Sequence, residues 1–136
     1  PRSFVFPKNS VAHLDLLEKY GYKCYRGCGD FMRDCMYIEK QGQLYNIHPS
    51  LYIDQGTSFT FLKKILDISI AKKLPFHIWF HLWNFGETRE SMQRSINKLF
   101  IPVFKYAKKE EKSGTLTFET MLSAAKKTDK IFGAVT

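Results

Sequence analysis

Apolar positions along the chain change their spacing several times, and each change marks an element. Ser3 to Phe6 is a short apolar run that reads as a strand. It is stopped by Pro7, which cannot donate to a central ladder, and followed by the loop residues Lys8 and Asn9. A helix is predicted next, with Ser10 as N-cap, Val11, Leu14, Leu17 and Tyr20 as its apolar stripe, and Gly21 where a left-handed C-terminal cap is wanted. Tyr22 to Arg26 alternates aromatic or Cys with basic residues, a second strand ending at Gly27. Strand, helix and strand within about 25 residues is the spacing of a parallel βαβ unit.

Residues 28 to 50 are less regular. Cys28-Gly29-Asp30 and Gln41-Gly42-Gln43 read as turns, with Phe31 to Lys40 helical between them. His48-Pro49 introduces a short strand, Leu51 to Ile53, closed by Asp54-Gln55-Gly56. Thr57 or Ser58 caps a helix reaching about Lys73, with Phe59, Leu62, Ile65, Leu66 and Ile70 apolar, and Leu74-Pro75 ends it. Phe76 to His81, nearly all large and apolar, is the most strand-like segment, as expected of a strand covered on both faces. Leu82 to Glu87 reads as a loop. Thr88 caps a long helix in which Met92, Ile96, Leu99, Phe100, Val103, Phe104 and Ala107 recur every three or four positions, and Pro102 should kink or split it. After a solvated Lys108 to Ser113, Thr115 to Phe118 is a candidate last strand. Phe118 to Lys127 reads as a last helix with Met121, Leu122 and Ala125 facing inward. Strands alternate with helices throughout, so the predicted fold class is α/β.

Composition fits one folded domain over residues 1–136: 44% of residues are hydrophobic, and 12 Phe, 7 Tyr and 2 Trp can fill a core. No apolar run reaches the ~18 residues that would cross a bilayer, so no membrane span is expected. The net charge of +8 falls almost wholly in the second half, where residues 58–136 hold 14 Lys/Arg against 7 Asp/Glu. Those lysines sit on stretches that read as amphipathic helices, without a nucleic-acid motif beside them, so a solvated surface is favoured and no nucleic-acid partner is expected. Cys24, Cys28 and Cys35 match no zinc, redox or haem spacing. They read as free thiols, which leans toward a reducing compartment such as the cytoplasm. The chain opens Pro1-Arg2-Ser3 straight into an apolar run, as a segment of a larger domain would.

Functional groups in parallel α/β folds gather at the carboxyl ends of strands. Three such ends carry polar groups here: Pro7-Lys8-Asn9, Arg26-Gly27, and His81 with Trp83 and Asn84. If these strands are parallel neighbours, the three sets share one rim and His81 is a candidate acid, base or ligand. The plainer reading, a histidine satisfied at a strand end, weighs about equally. His77 and His81 would chelate one ion on a helix, but on a strand four residues span roughly 13 Å, too far for a shared metal. His13 is expected on the surface of the first helix and His48 in a loop. Trp79 and Trp83 serve either as packing or as faces on which a sugar ring stacks.

The runs SFVFPKNSVAHLDLL (Ser3 to Leu17), GYKCYRG (Gly21 to Gly27) and FHIWFHLWNFG (Phe76 to Gly86) resemble the carboxyl-terminal half of polysaccharide deacetylases, the NodB-homology group of carbohydrate esterases. GTLTFETML (Gly114 to Leu122) is similar to that family's last strand and helix. The resemblance implies a partial (β/α) barrel and a divalent metal, usually zinc, that activates water against the acetamide of an N-acetylated sugar or polysaccharide. In the family that metal is held by an Asp and two His in motifs that lie before the part seen here; neither motif occurs in these 136 residues, so no metal is expected on this chain alone. The family's late histidine, the acid that protonates the leaving amine, falls on His81. Pro7 matches the Pro of an R-x-P motif whose Arg position is Val5, which leaves Lys8 or Arg26 for the orienting role.

Two functions are therefore expected. One is the carboxyl-terminal part of a metal-dependent sugar N-deacetylase, inactive alone, with His81 as catalytic acid and Pro7, Lys8, Asn9, Arg26, Trp83 and Asn84 near the substrate. The other is a non-catalytic carbohydrate-binding or scaffold domain derived from that fold. An isolated half-barrel would also expose strand edges and invite self-association.

Overall fold

In the computed structural model, which describes residues 2–27 and 36–133, β1 (Ser3–Val5) and β2 (Cys24–Arg26) run side by side in parallel. The βαβ expectation holds, with a shorter helix: α1 spans Leu14–Lys19. Ser10 does not cap it. Pro7–Asn9 winds into a 3₁₀ turn with Lys8 at a left-handed φ of 52°, and the Ser10 N–H closes that turn on the Pro7 carbonyl at 3.1 Å. Val11 leaves the expected apolar stripe and presses on Gly27, where an added Cβ would lie 2.1 Å from Val11 Cγ2. The chain thus covers the end of β2 before α1 begins. The helix ends as predicted: Gly21 (φ 77°) donates to the Glu18 carbonyl and Tyr22 to that of Leu17, the paired bonds of a Schellman cap.

Ile38 to Lys40, expected to be helical, is instead strand; the rest of that expected helix falls partly on residues 31–35, outside the described residues. β3 (Ile38–Gln41) pairs antiparallel with β4 (Leu44–Ile47), and the loop between them is Gly42-Gln43. Gly42 has φ +60° at the first loop position, which a two-residue hairpin reserves for glycine. The Gln43 N–H donates to Glu18 Oε1 of α1 at 2.7 Å, so helix and hairpin lock together. β4 also pairs in parallel with β2, giving a sheet of order β1-β2-β4-β3.

Alternation along β2 and β4 feeds two cores. Tyr25 and Leu44 join Phe6 and Leu17 on the α1 face. Cys24, Tyr45 and Ile47 face the other way and meet Ala125, Met121 and Leu122 of α5 (Met121–Gly133), the inward positions expected. Thr120 caps α5 through its hydroxyl on the Ser123 N–H, three residues later than predicted. Thr115 to Phe118 is no strand: the Thr115 N–H and hydroxyl turn back onto the Glu110 carbonyl, which removes them from any ladder.

A second sheet has two parallel strands, β5 (Leu51–Tyr52) and β6 (Ile78–Trp79). β6 is shorter and less buried than the apolar run Phe76 to His81 suggested, because β5 ends where Asp54 and Thr57 fold the chain and leaves the later residues no rung to pair with. α2 (Phe59–Lys72) is capped by Ser58, whose hydroxyl accepts from the Phe61 N–H. α3 (Arg89–Ser95) is capped by Thr88, as expected. The long helix does not break at Pro102; a π turn, Ile96–Phe100, leads into α4 (Ile101–Lys112). Pro102 has no N–H for the carbonyl one turn back, and the wider turn absorbs the defect. Ile53, Leu62, Phe85, Leu99 and Val103 form the core of this part.

The chain accordingly divides into two compact units, Pro1–Ser50 with Glu119–Thr136, and Leu51–Phe118. Both are α/β, and neither sheet closes into a barrel among the described residues. No described helix is long and apolar enough to cross a membrane.

Candidate functional site

In the second unit, β6 delivers His81 to the start of a 3₁₀ turn, Leu82–Phe85, in the stretch expected to be plain loop. Phe85 is buried and pins the turn to the core, while Leu82 and Trp83 face outward. Asn84 holds the turn's geometry: its Oδ1 accepts from the His81 N–H at 2.8 Å, and its own N–H donates to the His81 carbonyl at 3.0 Å. The Gln55 N–H, from the loop after β5, donates to the Asn84 carbonyl at 3.0 Å, so the two strand-end loops are tied to each other.

This turn lays Trp83 flat on His81, with ring centroids 4.1 Å apart and planes 7° apart. Trp79 meets His81 edge-on at 5.8 Å, and Tyr52 of β5 lies 4.8 Å from Trp79. The result is an aromatic ledge at the carboxyl ends of β5 and β6. Trp83 is 67% exposed, so one indole face is free for a flat apolar partner, and the imidazole beside it is exposed to solvent. Such a pair can donate or accept a proton next to a stacked ring. Tyr52 was not among the expected site residues. Its pairing with Trp79 across the β5–β6 rung is what could have flagged it.

Pro7, Lys8, Asn9 and Arg26 come together in the first unit, at one end of its sheet. The Phe6 N–H donates to the Arg26 carbonyl at 3.3 Å, and Arg26 sits directly across from Val5. Asn46 of β4, which sequence reasoning missed, is buried there and accepts from the Gly27 N–H at 3.1 Å. A lone amide inside the apolar run Leu44 to Ile47 was its signal. These residues and His81 belong to different sheets, so the three strand ends do not share one ladder.

No family model, curated protein or solved structure matches the chain.

His81 has aromatic rings and an amide for neighbours. Among the described residues no group of three His, Cys, Asp or Glu side chains could hold a metal ion. His48 lies in a loop, as expected, but is buried, with Nε2 3.1 Å from Glu39 Oε2 and its ring 4.4 Å from Tyr37. His13 is exposed just ahead of α1, at a left-handed φ of 52°. Cys24 is a buried free thiol whose pKa burial pushes up to about 11, which favours the protonated form near neutral pH. Cys28 and Cys35 lie outside the described residues.

Proposed function

We propose that the chain is the carboxyl-terminal part of a sugar N-deacetylase of the polysaccharide deacetylase type, contributing to a (β/α) barrel the acid that protonates the departing amine. The observation that carries this reading is the exposed His81–Trp83 stack at the end of β6: a proton donor beside a flat apolar face is what cleavage of an acetamide on a sugar ring calls for. Trp83 receives the apolar face of the pyranose, Asn84 keeps the turn in register, and His81 delivers the proton. Arg26 pairs directly across from Val5, which supports it over Lys8 as the orienting cation.

The chain alone should not deacetylate N-acetylated glycans, and metal-dependent turnover by the 136 residues would overturn the reading. In the longer protein that this reading requires, His81→Ala should lower the rate by about 10²–10⁴ with metal content unchanged. A rate near that of the parent removes His81 from the mechanism.

The exposure of Trp83 also favours a second reading, a non-catalytic carbohydrate-binding domain. Titration of the chain with N-acetylglucosamine oligomers, followed by tryptophan fluorescence, addresses sugar recognition directly. Binding that Trp83→Ala abolishes is expected under both readings. Absence of binding argues against both.

A further inference from the structure

We propose that a cleft in the second unit, between the Asp54–Ser58 loop and the facing helix, binds a phosphate-type oxyanion. The cleft has a volume of about 430 Å³ and is lined by that loop, by Phe59, and by Ser91, Arg94, Ser95, Lys98 and Leu99. This volume falls in the ~300–1,000 Å³ range of small-ligand sites. It exceeds what a bare oxyanion needs and leaves room for a phosphate monoester.

Arg94 and Lys98 carry the inference. They stand four residues apart, both exposed, both on the cleft lining, and neither forms an ion pair among the described residues. Like charges at this spacing repel each other, and an anion held between them would reverse the sign of that interaction. Arg94 offers a planar fork suited to two phosphate oxygens, and Lys98 a point charge. Lys98 lies in the π turn, a local widening of the helix of the kind often found at functional sites.

The opposite wall is compatible with an anion. Asp54 lines the cleft, with its Oδ1 accepting from the Gly56 N–H at 2.9 Å and the Thr57 hydroxyl at 3.3 Å, so that oxygen is engaged in its own loop. Ser58 and Phe59 open α2, a 14-residue helix; the Ser58 hydroxyl takes the Phe61 N–H, while the Phe59 and Thr60 N–H groups have no acceptor within the helix. The oxyanion site does not depend on the deacetylase reading.

The test is an amide NMR titration of the 136-residue chain with inorganic phosphate and with glucose 6-phosphate, at ionic strength held constant with chloride. Saturable shifts at Ser58 and Phe59 are expected, with affinity falling about tenfold or more in Arg94→Gln and in Lys98→Gln. Lys72→Gln removes the same charge from the far end of α2 and should leave the affinity unchanged. Tighter binding of glucose 6-phosphate than of phosphate supports the monoester. Shifts that do not saturate, equal weakening by Lys72→Gln, or equal shifts with unphosphorylated glucose would overturn the proposal.

Discussion

Replacing Phe85 by Ala should unfold the second unit at markedly lower denaturant, because this one side chain joins the core to the turn that presents His81 and Trp83. Phe85 is 1% exposed, among Ile53, Leu62, Leu99 and Val103. Its ring meets Phe80 at 5.3 Å and 72° and Phe100 at 4.8 Å and 73°, both edge-to-face. Truncating a buried Phe to Ala costs about 3–5 kcal/mol. Each edge-to-face pair adds about 0.5–1.5 kcal/mol beyond area burial, which places this site in the upper half of that range. With a urea slope of about 1–1.5 kcal/mol/M for a unit of this size, the midpoint should fall by roughly 2 M or more. Trp79 and Trp83 are the chain's two tryptophans and both lie in this unit, so their fluorescence reports its unfolding. Phe85→Leu retains most of the volume and should cost about 1.5 kcal/mol or less. A loss below about 1 kcal/mol in Phe85→Ala would refute the assignment of Phe85 as the centre of this core.

Gly42→Ala should destabilise the first unit by about 1–2 kcal/mol in a thermal or urea melt, since φ is +60° there and an added Cβ would lie 2.3 Å from Glu18 Oε1; an unchanged melt would contradict the hairpin geometry. Stability should fall at alkaline pH. Burial raises Cys24 from 9.0 to about 11, and burial with the nearby Glu39 charge raises Tyr25 from 10.0 to about 12. Both contributions are intact below pH 9 and are lost as pH climbs through the folded values, so the urea midpoint should drop between about pH 9 and 12, less steeply in Tyr25→Phe. On the acid side, hydrogen bonds from Lys63 and Tyr106 hold the Asp67 carboxyl below its usual 3.8. That contribution is present above the ordinary value and fades as pH falls through the lowered one, and Asp67→Asn should flatten this limb of the stability curve.

The features that could be read from the sequence are those set by a few adjacent residues. Gly21 and Thr88 end or start helices as expected, and Ser58, one of the two candidates, starts α2, because a cap is a contact between near neighbours in the chain. The inward face of α5 follows from spacing alone. The hairpin was illegible for a physical reason: Leu44 to Ile47 is buried on both faces, so it lacks the alternation that marks a half-buried strand. Ser10 does not cap α1: its N–H closes the Pro7 turn and Val11 lies against Gly27, a contact between segments that no local pattern encodes. His81 was identifiable as a polar group at a strand end. Its stacking on Trp83 depends on a 3₁₀ turn anchored by Phe85, which composition does not show.

The first unit is built from two stretches of chain separated by the whole of the second, and this fixes an order of events during synthesis. Once Ser50 has emerged, β2 and β4 present Cys24, Tyr45 and Ile47 on a face whose cover, α5, starts only at Met121. At about 5–20 residues per second, that apolar face waits roughly 4–14 s for its cover. The second unit is continuous and can fold during the delay. A nascent chain therefore carries an uncovered hydrophobic sheet for seconds, the condition under which a chaperone or a neighbouring nascent chain competes with α5 for the same surface.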